Sequence, residues 1–271
     1  MKQFNEFDDL LKAYQHLNII QSKDEFDKTK IEFVYHSNRL EGSNLTLFQT
    51  EDIINSHHIK GEASFLECLM AIDNYRALNL ALTFGANKYP LTEKMLLNLH
   101  ETLLKNSFEN DPAYASWKDK GQLLGEFKVG SNRIRRTDDG KDVFYPTPNV
   151  IESKENILKS LELYNFSSEH FLEKLSKLVQ NIYNAHAFFD GNKRMTRLII
   201  ANQLLANQLP LIVLHGHGND YNEALFNGYV NQTNEPILTV LKLVICQYLT
   251  QQIELAKKMN KSKNSGFGLI I

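Results

Sequence analysis

The sequence is short of every feature that would place it outside the ordinary globular class. It has only two cysteines in 271 residues. Cys68 and Cys246 lie far apart, which excludes a disulfide framework and a cysteine-based metal site and fits a reducing cytosol. Neither sign of charge dominates: 30 Lys and Arg against 32 Asp and Glu give a formal net charge of −2. No general attraction to nucleic acid or to a membrane surface follows. No apolar run reaches membrane-spanning length, and the patch at 238–245 is broken by Thr239 and Lys242. The first ten residues are acidic and interrupted by polar side chains, so no signal peptide is expected. There is no internal repeat, and no linker-like composition between 24 and 260. A hydrophobic content of 42% is enough for a substantial core. These absences leave a soluble, cytoplasmic protein as the expectation.

One stretch concentrates the chemistry that is present. Residues 186–197 read His-Ala-Phe-Phe-Asp-Gly-Asn-Lys-Arg-Met-Thr-Arg. Upstream, Leu175, Leu178, Val179 and Ile182 recur at i, i+3, i+4 and i+7, one apolar face of an amphipathic helix. Downstream, Met195, Leu198, Ile199 and Leu205 mark a second helix. His186 ends the first helix, and Lys193 and Arg194 open the second. Two cations at a helix start oppose its dipole, because the first free N–H groups already carry partial positive charge. An anion at the turn removes the conflict. Free N–H groups, the permissive Gly191 and the Arg194 guanidinium together form a phosphate cradle. Arg197 follows by three and puts a second guanidinium on the same face. Asp190 adds a hard oxygen suited to Mg2+, which travels with phosphates. His186 can take a proton near neutral pH.

Each of these residues also has a plainer reading. His186 alone is a helix-end cation, and Arg194 and Arg197 are surface ion-pair partners. Lys193 is a solvated helix residue, and Glu41 an exposed carboxylate. Phe188 and Phe189 are read as core, with Phe188 anchoring the turn from beneath. The four-residue step from His186 to Asp190 also suits a transition metal, but Gly191 argues against a continuing helix. A third ligand would have to come from His215 or His217. The combination in one register outweighs the plain readings for the central string.

That string resembles the signature of the Fic family, H-x-F-x-D/E-G-N-x-R-x-x-R, at His186, Phe188, Asp190, Gly191, Asn192, Arg194 and Arg197. Lys193 departs from the Gly of most well-studied members. A second likeness stands upstream, where Ser37-Asn-Arg-Leu-Glu41-Gly42 resembles the family's inhibitory-helix motif, S/T-x-x-x-E-G/N. Its place before the core is similar to the class that carries this helix N-terminally. The resemblance implies an all-α fold with a small β-hairpin flap over the active site. It implies an ATP-dependent protein adenylyltransferase with Mg2+ on Asp190 and ATP on Gly191, Asn192, Lys193, Arg194 and Arg197. His186 would deprotonate a Ser, Thr or Tyr hydroxyl of a protein substrate, which could be the enzyme itself. Glu41, in the motif that Ser37 opens, would pair with Arg197 and restrain it. Rival readings remain. The Doc branch also carries Asn-Lys-Arg and resembles a kinase, although it usually lacks the second Arg and the fused Glu. Removal of AMP, and nucleotide binding without turnover, are further alternatives. Relatives of this class often dimerise. A nucleic-acid partner would need a wider basic face than Arg133, Arg135 and Arg136, which read as a solvated strand.

Elsewhere the patterns predict helices over 6–18, 24–40, 47–57, 92–105, 149–164, 168–185, 193–207, 219–231 and 236–261. Phe26, Ile31, Val34 and Tyr35 form the expected buried side of the second, and Gly42 its stop. Ser64-x-x-Glu67 reads as a capping box opening a helix to about Thr83. Residues 125–148 read as a hairpin, with strands over 129–136 and 141–145 and the turn Thr-Asp-Asp-Gly at 137–140. The expected units are N-terminal helices over 1–60, a core over 61–260 and a tail over 261–271.

Overall fold

The computed structural model describes residues 4–19, 21–56, 61–138, 141–214 and 216–265. The helices are α1 (Asn5–His16), α2 (Lys23–Arg39), α3 (Leu47–Ser56), α4 (Phe65–Ala86), α5 (Glu93–Asn110) and α6 (Ala115–Lys118). A hairpin, β1 (Arg133–Asp138) and β2 (Lys141–Pro146), separates them from α7 (Val150–Phe166), α8 (Phe171–Ala185), α9 (Asn192–Ala206), α10 (Gly218–Asn231) and α11 (Glu235–Ser265). The class is all-α with one small antiparallel ladder, as expected. No helix among the described residues is long and apolar enough to cross a membrane.

Local chemistry explains most boundaries. Ser22 and Glu25 cap α2 reciprocally, and Asn149 and Glu152 do the same for α7. The box expected at Ser64 does not form. Its side chain makes no cap bond, and the Glu67 carboxylate, the other half of the box, accepts from the backbone N–H of Asn44 instead. In α2 the buried apolar residues are Ile31, Phe33 and Val34, whereas Tyr35 is only partly covered. A single 3-10 turn over Pro112–Tyr114 and the short α6 have no counterpart in the sequence reading. α11 runs on to Ser265, into the expected tail, whose residues 266–271 lie outside the described ones.

The hairpin pairs Arg133 with Pro146, Ile134 with Tyr145 and so on to Asp138 with Lys141. Its expected turn residues Asp139 and Gly140 lie outside the described residues. β1 starts later than 129, for a visible reason. The N–H of Lys128 is taken by the Ala187 carbonyl (2.8 Å) and that of Val129 by the Gln122 side chain (2.9 Å). The residues before 133 are therefore pinned to the core as a loop, not to a ladder.

α9 lies at the centre, with every residue from Arg194 to Leu204 buried. A helix covered all round must satisfy its polar groups internally. Asn202 donates to the Ala81 carbonyl (2.8 Å), Gln203 accepts from the Tyr164 hydroxyl (2.6 Å) and Thr196 from that of Tyr221 (2.7 Å). α4 approaches α9 closely at Gly85, where a Cβ would collide with the Asn202 carbonyl and press on Leu205 Cβ at 3.2 Å. Gly85→Ala should therefore lose about 2 kcal/mol of stability, although alanine is the better helix former. Urea melts would show it as a lower midpoint at unchanged slope. An unchanged midpoint would mean that the two helices separate freely there.

Candidate active site

α8 stops because His186 adopts a left-handed backbone (φ 45°, ψ 46°). That region is uncommon for a residue with a Cβ. After Ala187, Phe188, Phe189 and Asp190, Gly191 turns the chain again at φ 77° and caps α9. Glycine suits that conformation, and a Cβ there would also press on Leu103 at 3.2 Å. Asn192 closes the turn on itself, accepting from the Phe188 N–H (3.1 Å) and donating to the Phe188 carbonyl (2.8 Å). Beneath it, Phe188 is fully buried, stacked on His100 with ring centroids 4.1 Å apart. The His100 Nε2–H in turn donates to the Asp190 carbonyl (3.1 Å).

The His186 Nδ1 lies 3.3 Å from the Tyr183 carbonyl. That contact assigns the proton to Nδ1 and leaves Nε2 as the basic nitrogen. Burial pushes the imidazole down to about 4, helped by Lys128 and Lys193 and opposed by the Tyr183 carbonyl and Asp190. His186 is thus neutral at pH 7, with Nε2 unprotonated.

Asp190 accepts from the Tyr114 hydroxyl (2.6 Å) and from Arg194 Nη2 (2.9 Å), both at Oδ2. Burial raises its carboxyl, but Arg194 and the Tyr114 and Gly191 hydrogen bonds outweigh this and leave it below the ordinary range. Its side chain stays 43% exposed beside a buried Arg194. One partly open carboxylate fits a Mg2+ that brings its other ligands as water and phosphate. It does not fit a transition-metal site. No group of three His, Cys, Asp or Glu that could hold a metal occurs among the described residues. His217 is engaged with Asp220 (3.0 Å) and Gln247 (3.1 Å), and His215 lies outside the described residues.

The end of α2 meets the start of α9. Arg197 donates from Nε to Ser37 Oγ (2.8 Å), and from Nη2 to the Ser37 carbonyl (3.1 Å) and Glu41 Oε1 (2.5 Å). Lys193 Nζ reaches the other Glu41 oxygen at 3.3 Å. Burial raises the Glu41 carboxyl, but the charges of Arg197, Lys193 and Arg194 prevail and bring it to about 2. The plain readings of Glu41 as an exposed carboxylate and of Lys193 as a solvated residue do not describe these side chains. The cleft between this corner and the hairpin holds about 690 Å3, lined among others by Glu41, Arg136, His186, Asp190 and Lys193, a volume suited to a small-molecule ligand. Arg136 is not the solvated strand residue expected: it pairs with Glu223 (3.1 Å) and stacks on Phe226 (4.3 Å). Arg135 pairs with Asp142 (2.8 Å) and stays exposed.

Tyr114, His100, Lys128 and Asn132 are the site's neighbours that sequence reasoning missed. His100 carries a stability consequence. Burial lowers its imidazole to about 4, against partial recovery from the Asp190 carbonyl and charge. The unfolded chain takes up that proton near 6.5, so stability is full above 6.5 and falls as pH drops toward 4. The loss due to His100 is roughly 3 kcal/mol. Urea midpoints taken from pH 7 to pH 4.5 should decline accordingly, and a flat series would contradict the buried neutral ring.

Residues 90–204, from just before α5 to near the end of α9, match the family model described as Fic/DOC family. No curated protein matches the chain. Among solved structures, a Fic-domain-containing signalling protein from Bacteroides thetaiotaomicron is 24% identical over 94% of this chain and 97% of its own, with a TM-score of 0.77. Fic-1 from C. elegans (residues 134–508) is 18% identical over 94% of this chain and 72% of its own, TM-score 0.73. A Fic family protein from Desulfovibrio desulfuricans is 16% identical over 94% and 75%, TM-score 0.69. At these identities the structures establish a common fold.

Proposed function

We propose that the chain is an ATP-dependent protein adenylyltransferase of the Fic/DOC family, whose model residues 90–204 match. The observation that carries this reading is the neutral His186, with Nδ1 engaged at Tyr183, beside a helix start that holds Arg194 and Arg197. The triphosphate of ATP lies on Gly191, Asn192, Lys193 and Arg194, where N–H groups and cations converge. Asp190 would hold Mg2+, which would supply neutralising charge for the polyphosphate. A Ser, Thr or Tyr hydroxyl of the protein substrate gives its proton to His186 Nε2. The hydroxyl oxygen bonds to the α-phosphorus as the bond to pyrophosphate breaks. Positioning and charge stabilisation supply most of the acceleration in transfers of this kind.

Glu41 is the restraint on this reaction. Its carboxylate occupies Arg197, the cation that would otherwise hold the terminal phosphate. The chain itself is the first substrate to examine, and a second copy of it the first partner. A cytoplasmic setting agrees with two free cysteines.

Lys193 favours a second reading, phosphoryl transfer with the nucleotide reversed. Against it, Lys193 is engaged with Glu41 and Arg197 completes the signature. Intact-mass spectrometry after incubation with ATP and Mg2+ separates the two. The expected product carries a nucleoside monophosphate. An added phosphate alone would establish the kinase, and an AMP-bearing protein that loses its label would establish the reverse activity.

A further inference from the structure

The turn after α8 presents three consecutive carbonyls, those of His186, Ala187 and Phe188. All three accept hydrogen bonds from the foot of the hairpin. The Lys128 N–H donates to Ala187 (2.8 Å), and the Asn132 amide donates to both His186 (3.1 Å) and Phe188 (2.7 Å). Asn132 is itself held, because its Oδ1 accepts from Lys128 Nζ (2.8 Å) and from Thr147 Oγ1 (2.8 Å). The Lys128 ammonium also donates to Thr147 Oγ1 (3.2 Å) and to the Pro148 carbonyl (2.9 Å), at the hairpin's other foot.

Lys128 is 1% exposed. Its hydrogen-bond partners are neutral oxygens, and no carboxylate pairs with it among the described residues. An ammonium in such a place is expensive to bury, and burial alone lowers it to about 8. A lysine serving only to fill space could be replaced by an apolar residue. This one draws both feet of the hairpin together and fixes the amide that grips the turn.

We propose that Lys128 and Asn132 are positioning residues. Through the carbonyls of His186 and Phe188 they hold the left-handed backbone that presents the His186 imidazole, and so tie the attitude of that ring to the feet of the hairpin. The inference rests on the reading of His186 as the base. A left-handed residue with a Cβ persists only where its surroundings over-determine it. Here the determinants are the Asn132 bonds on either side of Ala187. Without them His186 is free to continue α8, and its ring swings away from the cleft.

The ammonium has a second effect on the same ring. The groups facing the imidazole are the Tyr183 carbonyl from α8, Asp190 from the turn, Lys193 from α9 and Lys128 from the hairpin foot. The two lysines disfavour the protonated ring. Removing the Lys128 charge therefore raises the titration midpoint of His186, and arginine in its place leaves it low.

Three variants of the whole chain test this: Lys128→Met, Lys128→Arg and Asn132→Asp. The last keeps a partner for Lys128 but loses both donors to the turn. Imidazole NMR reads the His186 midpoint, and AMP transfer in a Glu41→Gly background reads kcat and KM. The expected results are a raised midpoint in Lys128→Met and in Asn132→Asp, the parental midpoint in Lys128→Arg, and a fall of about 100-fold in kcat with unchanged KM for ATP in Asn132→Asp. Folded variants with the parental midpoint and parental kcat would overturn the proposal. If Lys128→Met does not fold, the kcat of Asn132→Asp decides. If no variant and no parent transfers AMP, the assigned reaction fails, while the His186 midpoints still decide the positioning.

Discussion

His186→Ala should lose AMP transfer by about 1,000-fold while the protein remains folded. The size follows from the value of a positioned general base, roughly 10²–10⁴-fold. The fold should survive because the packing under the turn comes from Phe188, Asn192 and His100, none of which touches the imidazole through a hydrogen bond. Transfer of labelled AMP measures the first part and a thermal melt the second. Wild-type rates in the variant would remove His186 from the chemistry. The pH dependence gives a second check. The ring is held near 4 by burial, reinforced by Lys128 and Lys193. The base is therefore available at all pH values above that, and the acid limb of the rate lies near 4, not near the 6.5 of a free histidine.

Glu41→Gly should raise self-modification on the order of 100-fold, the range associated with one well-placed cation on a reacting phosphoryl group. In the parent chain Arg197 is occupied by Ser37 and Glu41, and Lys193 by the other Glu41 oxygen. Removing one carboxylate releases Lys193 and leaves Arg197 held only by Ser37. The same pairing predicts how acid acts on it. The Glu41 carboxyl is near 2 in the folded chain, because burial is outweighed by Arg197, Lys193 and Arg194. Its stabilisation is complete above the unfolded value of about 4.3 and is lost only as pH falls toward 2. No release through Glu41 protonation is expected between pH 5 and 8. Label incorporation no higher in Glu41→Gly than in the parent would remove the restraint from the scheme.

The parts of this site that could be read from the sequence are those written in consecutive residues. The apolar stripe of α8, the glycine that turns the chain and the cations of α9 all lie within one short window, where spacing alone defines geometry. Glu41 was readable only through its motif, since nothing local says that the end of α2 lands on α9. Tyr114, His100, Lys128 and Asn132 reach the same turn from distant elements, and no periodicity marks a side chain whose partner is that remote. The false capping box at Ser64 has the same origin. The local pattern was right in type, but Asn44, from another loop, competed for Glu67 and won. The hairpin was found, yet its first strand was set too early, because contacts to Ala187 and Gln122 claim the N–H groups of 128 and 129.

Glu41 and Arg197 stand 156 residues apart on one polypeptide. Their encounter is therefore unimolecular, and its strength does not depend on how many copies of the protein are present. Dilution, low expression or dispersal through a large volume would weaken an inhibitor supplied by a separate molecule. The restraint proposed for Glu41 would come with each chain, at a fixed local concentration, from the moment it folds.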